Sequence, residues 1–511
     1  MPTRPNIVVI MADQLAPQFC GAYGHPIAKT PHIDALAARG MRFDAAYCNS
    51  PLCAPSRFAF MSGQLISRIA AYDNASEFRA SVPTFAHYLK ALGYRTCLSG
   101  KMHFVGPDQK HGFEDRVTTD IYPSDFAWTP DWEAPDERIG KWYHNMQTVK
   151  ESGVAVATFQ TDYDDEVGFA ARRWLVDRGR ARAHGDEAPF CMVASFIHPH
   201  DPYVAQPEWW DLYSDDEIDM PGFVLAAEDQ DPFSRRVMDG IEASSVPLSE
   251  AEVRRARRAY LANVSYFDSK AGQMVKTLED IGALDNTIVI VTADHGDMLG
   301  ERGLWYKMNF FEHSARVPLI MAGPGVAQGS ASNACSLVDM LPTFLDIAGG
   351  GSSILGEPVD GRSLMPLARG GTDETDLAIG EYCAEMTPWP VFMIRRGALK
   401  YIHCDVDPPQ LFDLARDPQE RVNLAADPAY ADAVAGFAAE AAARWDSAAL
   451  RRDVMATQKS RRALHAAMEA RAGEHWDYNP PSDASQQYVR NHMDWTEAAG
   501  RYRFPPLKEG Q

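Results

Sequence analysis

Ser50-Pro51-Leu52-Cys53-Ala54-Pro55-Ser56-Arg57-Phe58-Ala59-Phe60-Met61-Ser62-Gly63 decides how the rest of the chain is read. Upstream, residues 41–47 read as a strand; downstream, Pro55-Ser56-Arg57 opens a helix that runs through Met61. Cys53 therefore lies at a helix N-terminus, where backbone N–H groups and the helix dipole favour an anionic oxygen. The competing and weaker reading of the cysteine taken alone is a small thiol buried in a turn.

Working outward, strands keep ending in chemically active residues. Pro5-Asn6-Ile7-Val8-Val9-Ile10-Met11-Ala12-Asp13-Gln14 reads as a buried parallel strand that ends in an acid. Residues 30–40 read as a helix with Pro31 at its start and Gly40 at its end. The strand over residues 94–100 leads into Lys101 and His103, which alternation places on one side of the extended chain. The strand over 189–197 leads into His198-Pro199-His200-Asp201; His198 reads as a core histidine and His200 as a site residue. A third apolar run, residues 287–293, ends in Asp294-His295-Gly296-Asp297. Ligand sites of open α/β sheets lie at the carboxyl ends of strands. Asp13, Asp294 and His295 form an oxygen-rich set with one imidazole, which suits a hard divalent cation better than zinc.

The expected fold is α/β, with a large domain built on a central, mostly parallel sheet flanked by helices. Residues 82–92, 166–183, 248–278 and 337–348 read as helices, with Ser249 capping the third, and 317–321 as a further strand. Residues 108–165 are irregular and rich in tryptophan, tyrosine and aspartate, and 204–250 form an acidic insertion. Glycines and a fresh strand pattern put the boundary of this domain near 370, giving 1–370, a smaller α+β subdomain over 371–470, and a tail over 471–511. Antiparallel strands fill 376–425 and an Ala-rich helix 428–470. The tail carries six aromatics, too many to be left in water.

Composition narrows the function. The chain has 511 residues, 46% hydrophobic and 23% charged, with a net charge of −21. Such a charge argues against nucleic acid or an anionic membrane as partner. No apolar run of about 18 residues is present, and no signal-like segment precedes the first strand. The eight scattered cysteines include no CxxC pair. A reduced, cytoplasmic protein is the expectation.

Cys53-Ala54-Pro55-Ser56-Arg57, Gly100-Lys101-Met102-His103, Pro199-His200-Asp201-Pro202 and Asp294-His295-Gly296 resemble the motifs of sulfatases of the alkaline phosphatase superfamily. Residues 99–109 and 119–123, Trp142-Tyr143-His144-Asn145-Met146 and Arg490-Asn491-His492-Met493-Asp494 resemble, within that family, the choline sulfatases. The resemblance covers essentially the whole chain. It implies that Cys53 is oxidised by a maturation enzyme to formylglycine (3-oxoalanine), whose hydrate attacks the sulfate ester. It implies that Arg57 braces this group, Lys101 and Lys307 hold sulfate oxygens, His103 orients the diol, and His200 faces the leaving oxygen. Asp13, Gln14, Asp294, His295 and the Cys53 product would bind one metal, Ca²⁺ by family analogy, with Mg²⁺ or Mn²⁺ open. Many family members carry an acid where this chain has Gln14; an amide oxygen still suits a hard cation. A trimethylammonium group calls for aromatic faces and carboxylates. Asn74, Trp128, His144 and Asn145, with Glu385 and Asp494 as anionic walls, are the candidates, and the tail is expected at the interface of a homo-oligomer, dimer or tetramer. Two alternatives within the superfamily are a phosphonate or phosphate monoester hydrolase and a promiscuous arylsulfatase. A third is an inactive protein that binds a quaternary ammonium.

Overall fold

The computed structural model describes residues 4–135, 139, 144–470, 476–490 and 492–506. Trp142, Tyr143 and Asn491, part of the choline-sulfatase resemblance, lie outside the described residues.

An eight-stranded sheet organises the larger part of the chain. In spatial order its strands are Gly329–Ser336, Met41–Tyr47, Leu319–Ala322, Thr287–Ala293, Asn6–Asp13, Phe190–Pro199, Arg95–Gly100 and Asp115–Arg116. Every neighbouring pair is parallel except those that Leu319–Ala322 makes with its two neighbours. Asn6–Asp13 and Thr287–Ala293 are buried at every residue. Helices cover both faces of such a sheet, so the central strands are apolar throughout rather than alternating. The long helices Phe159–Ala183 and Glu250–Asp280 bury one side each against it.

Four adjacent strands matter for function: Thr287–Ala293, Asn6–Asp13, Phe190–Pro199 and Arg95–Gly100. They run parallel, so their carboxyl ends open on one edge. Ala12 pairs with Ala293 and Asp13 with Pro199, which brings Asp13, Asp294 and His200 to one level. Gly100 has φ +101°, and a Cβ there would sit 1.9 Å from the Ser195 carbonyl oxygen. Only glycine lets this strand end approach its neighbour so closely.

The C-terminal part holds a four-stranded antiparallel meander, Leu377–Tyr382, Val391–Arg396, Leu399–Cys404 and Asp407–Asp413. Two helices follow, Ala431–Arg444 and Ser447–Glu469, where the sequence suggested one. The chain breaks at Trp445, and Asp446 caps the second helix by accepting from Ala449 N. The Phe159–Ala183 helix starts seven residues before the expected 166, at a capping box formed by Thr158 and Thr161. The edge strand Gly329–Ser336 was not expected; its small polar residues have little strand propensity. Ser249 caps its helix as expected, accepting from Glu252 N.

Candidate active site

Cys53 opens the helix Cys53–Ser62, two residues earlier than the Pro55 start read from the sequence, and is buried at the mouth of the four strand ends. Its Sγ lies 3.3 Å from His295 Nε2 and 3.9 Å from Asp13 Oδ1. Asp13, Cys53, Asp294 and His295 bring four ligand atoms within 4.8 Å of one another, a group that could hold a metal ion. His295 Nδ1 is 3.0 Å from the Gly296 carbonyl oxygen. A carbonyl only accepts, so Nδ1 carries the proton and the Nε2 lone pair faces the cluster.

Arg57 ties the acids together. Its Nε donates to Asp294 Oδ2 at 2.8 Å and one terminal nitrogen donates to Asp13 Oδ2 at 2.9 Å. The other donates to the Lys101 carbonyl at 2.6 Å and to Ser195 Oγ at 2.8 Å. The Lys101 ammonium also pairs with Asp13 Oδ2. Lys307 Nζ donates to Gln14 Oε1 at 2.5 Å and lies 2.8 Å from His200 Nε2. Gln14 in turn donates to Asp297 Oδ2 at 2.6 Å and to Asp201 Oδ1 at 3.2 Å. Its amide oxygen thus points at Lys307, a partner not foreseen for a metal ligand.

Burial and these charges set the protonation states. Burial alone would raise the Asp13 carboxyl, but Lys101, His200 and Arg57 outweigh it and hold it well below the usual range. Burial pushes the Cys53 thiol up to about 11, and Asp13 adds to the rise against Lys101 and Lys307. Burial lowers His295 to about 4, and burial with Lys307 holds His200 well below an ordinary histidine. At neutral pH Asp13 is therefore ionised, the His200 and His295 imidazoles are neutral and the Cys53 thiol keeps its proton. Gln14 and His103 both have positive φ, +63° and +58°. For non-glycine residues this is strained backbone of the kind found where a site fixes its side chains.

Residues 5–350 match the family model described as Sulfatase. The chain belongs to the sulfatase family. Residues 452–504 match a model described as Choline sulfatase enzyme C terminal. The choline-sulfatase of Rhizobium meliloti (strain 1021) is 46% identical over 506 residues, covering 98% of this chain and 99% of that protein. Arylsulfatase K of Danio rerio is 30% identical over 449 residues, 83% of this chain and 80% of that protein. Among solved structures, the phosphonate monoester hydrolase of Agrobacterium radiobacter superposes with a TM-score of 0.68 at 23% identity, over 88% of this chain and 96% of that one. At that identity the likeness speaks for the fold.

Around the cysteine of this sulfatase the other sequence candidates divide. His103 is buried, its ring 5.3 Å from Tyr122 and 5.7 Å from Trp128. Neither of its ring nitrogens has a protein hydrogen-bond partner among the described residues. Trp128 packs edge-on against Tyr122 at 5.1 Å. His144 stacks on Tyr306 at 4.5 Å, with Nδ1 3.2 Å from Asp201 Oδ2. Asn74 accepts from the Ala54 N–H at 2.9 Å, which ties it to the Cys53 helix. The Asn145 side chain caps the short helix Met146–Lys150.

The two expected anionic walls differ from the reading. Glu385 is buried, and burial pushes its carboxyl up to about 8, so it is mostly protonated at neutral pH. Asp494 is exposed and caps the helix Trp495–Tyr502 through Thr496 N and Glu497 N. His198 is a core histidine, with Nδ1 2.7 Å from Asp164 Oδ2 and a buried Nε2 that has no hydrogen-bond partner among the described residues. Sequence reasoning passed over Tyr122, which lies under the Lys101 ammonium at 4.2 Å, and Asp297, which accepts from Gln14 and Tyr203. Asp297 stands three residues after Asp294, and that spacing was the available signal.

Proposed function

We propose that this sulfatase hydrolyses choline O-sulfate to choline and sulfate, with formylglycine made from Cys53 by a maturation enzyme as its nucleophile. The observation that carries the reading is the position of Cys53, in contact with His295 and within 3.9 Å of Asp13. The thiol itself, pushed up to about 11, is a poor thiolate nucleophile at neutral pH. A hydrated aldehyde at the same carbon serves better. One hydroxyl attacks sulfur, the S–O bond to choline breaks, and choline leaves with a proton. The second hydroxyl then loses its proton, the C=O bond reforms, and sulfate departs.

The residues present fit a hard divalent cation, Ca²⁺ in this reading: two carboxylates, the Nε2 lone pair of His295 and the Cys53-derived oxygen. Such an ion, when bound, supplies positive charge that acidifies the hydrate and neutralises sulfate oxygen. Arg57 bridges Asp13 and Asp294 and helps hold Asp13 ionised. Lys101 and Lys307 present cations to the anionic ester. The hydrogen-bonded Lys307–His200 pair stands ready to protonate the leaving oxygen. His103, with both ring nitrogens unengaged, orients the diol.

Trp128 is the candidate aromatic face for the trimethylammonium group, and His144, Asn74, Asn145 and Glu385 are the further candidates for its pocket. The similarity of residues 452–504 to the C-terminal model supports a choline-specific role for the tail; that the tail acts within a homo-oligomer is part of the proposal. Eight cysteines, all buried and free, support a reducing, cytoplasmic location. No described helix is long and apolar enough to cross a membrane. Mass spectrometry of the peptide spanning Cys53, with turnover of choline sulfate by wild type and Cys53→Ala, tests the reading. A converted cysteine and a loss of about 10⁴-fold or more are expected. Near-normal turnover by folded Cys53→Ala sinks it.

A further inference from the structure

The helix Ser447–Glu469 lies almost four hundred residues from Cys53 in sequence, yet it reaches the loop behind the nucleophile. Arg461 grips both oxygens of Asp73, one terminal nitrogen to Oδ1 at 2.6 Å and the other to Oδ2 at 2.7 Å. Both side chains are buried, so the pair is shielded from solvent. Asp73 Oδ1 also accepts from the Ala75 N–H at 3.0 Å and from Ser76 Oγ at 3.2 Å. These bonds fix a tight turn with Asn74 at its tip. Asn74 Oδ1 accepts from the Ala54 N–H at 2.9 Å. That N–H belongs to the residue after Cys53, in the unpaired first turn of its helix. Arg461 also reaches Thr129 Oγ1 at 3.4 Å, beside Trp128. Its neighbours strengthen the attachment: Gln458 Oε1 accepts from Trp132 N at 3.0 Å, and Tyr72 donates to Asp453.

We propose that Arg461 is a positioning residue for the nucleophile, acting through Asp73 and Asn74 on the first turn of the Cys53 helix. The inference rests on Cys53 as the source of the nucleophile. Its physical content is that a bidentate guanidinium sets a turn to within a fraction of an ångström, and a single ammonium does not. A misplacement of about 1 Å at a nucleophile can cost about 100-fold in rate. The C-terminal helix thereby becomes part of the active site without touching substrate.

Arg461→Lys keeps a cation but loses the two-pronged grip; Arg461→Ala loses both. Each is assayed with choline sulfate and with p-nitrophenyl sulfate, and rates are expressed per chain with converted Cys53. In Arg461→Lys kcat is expected to fall about 10- to 100-fold with both substrates while KM stays near wild type. Added guanidinium ion should restore part of kcat in Arg461→Ala. Asn74→Ala should lower kcat comparably, and the Arg461→Ala/Asn74→Ala double variant should lose no more than the worse single variant. Wild-type kcat in folded Arg461→Lys overturns the relay, as does a double-variant loss equal to the product of the single ones. A kcat that falls only with melting temperature and shows no guanidinium rescue also overturns it. If Arg461→Ala fails to fold, Arg461→Lys and the Asn74→Ala cycle built on it carry the test. Normal turnover by Cys53→Ala would instead remove the nucleophile reading, a result no Arg461 variant can mimic.

Discussion

His295 presents its Nε2 to the Cys53 thiol at 3.3 Å, while Nδ1 is held by the Gly296 carbonyl at 3.0 Å. The imidazole is thus fixed in tautomer and direction before any ligand arrives.

His295→Ala and Asp294→Asn are therefore expected to lose bound metal and activity together. Asp294 also takes the Arg57 Nε at 2.8 Å, so its asparagine leaves Arg57 half paired as well. Elemental analysis of purified variants decides the matter: stoichiometric metal in both would show that these side chains are not ligands.

Lys400 is a separate, structural cation. It is buried between Glu312 at 3.0 Å and Glu420 at 2.5 Å, and joins the antiparallel meander to the catalytic body. Burial would raise Glu312, but Lys400 and Arg316 outweigh it and bring its carboxyl down to about 2. Burial pushes Glu420 up, against Lys400, so the two carboxyls shift in opposite directions. Lys400→Met should cost about 3–5 kcal/mol at neutral pH, because it strands a buried carboxylate. A depressed carboxyl contributes stability above its unfolded value and loses it as pH falls through the folded one. The gap between variant and wild type should therefore narrow as pH drops from about 4.5 towards about 2. Denaturant titrations at several pH values measure this; a gap that widens in acid contradicts the pairing.

Part of this was legible in the chain and part was not. Asp13, Asp294 and His295 could be read because parallel strands give long β-branched runs, and their carboxyl ends are where ligands sit. His200 was read from its strand end and Lys307 from motif resemblance, but their mutual contact followed from neither. Nor did the Lys101–Asp13 pair, since nothing in spacing says that a lysine will face an acid 88 residues away. Arg461 looked like any arginine on a charged helix; its partner is 388 residues distant. The charge state of Glu385 was misread because burial, which sets it, is a property of the packed fold.

The tail offers a further measurable consequence. Trp495 is 76% exposed and Tyr488 55% exposed, and they line one cleft with Ala498 and Tyr502. Exposed aromatics grouped in this way mark an association surface. Deleting residues 474–511 should give a smaller species in size-exclusion chromatography and raise KM for choline sulfate more than for p-nitrophenyl sulfate. An unchanged elution volume counts against a role in assembly, and equal losses on the two substrates count against a choline-specific one.

Glu385 should make recognition of the cation depend on pH. It is buried, and its Oε1 has no hydrogen-bond partner among the described residues. Burial pushes its carboxyl up to about 8; Asp73 adds to the rise and Lys307 opposes it. For a carboxyl raised on folding the sign is adverse. The unfolded chain ionises it near its ordinary 4.5, so stability falls as pH climbs from there through about 8. A trimethylammonium group beside Glu385 reverses the preference, because the ionised form then faces a cation in a dry pocket. Binding choline sulfate below pH 8 thus expels a proton, and affinity should rise with pH until the free carboxyl is ionised. The expected size is a fall in KM of up to about tenfold per pH unit between about pH 6 and 8, levelling off above. p-Nitrophenyl sulfate carries no cation and serves as the control for groups that act on chemistry alone. Glu385→Gln should flatten the choline-sulfate profile and leave that of the aryl ester unmoved. Calorimetry of choline binding in two buffers of different ionisation heat reads the released proton directly. No proton release at about pH 7, with choline bound, would remove Glu385 from the cation pocket.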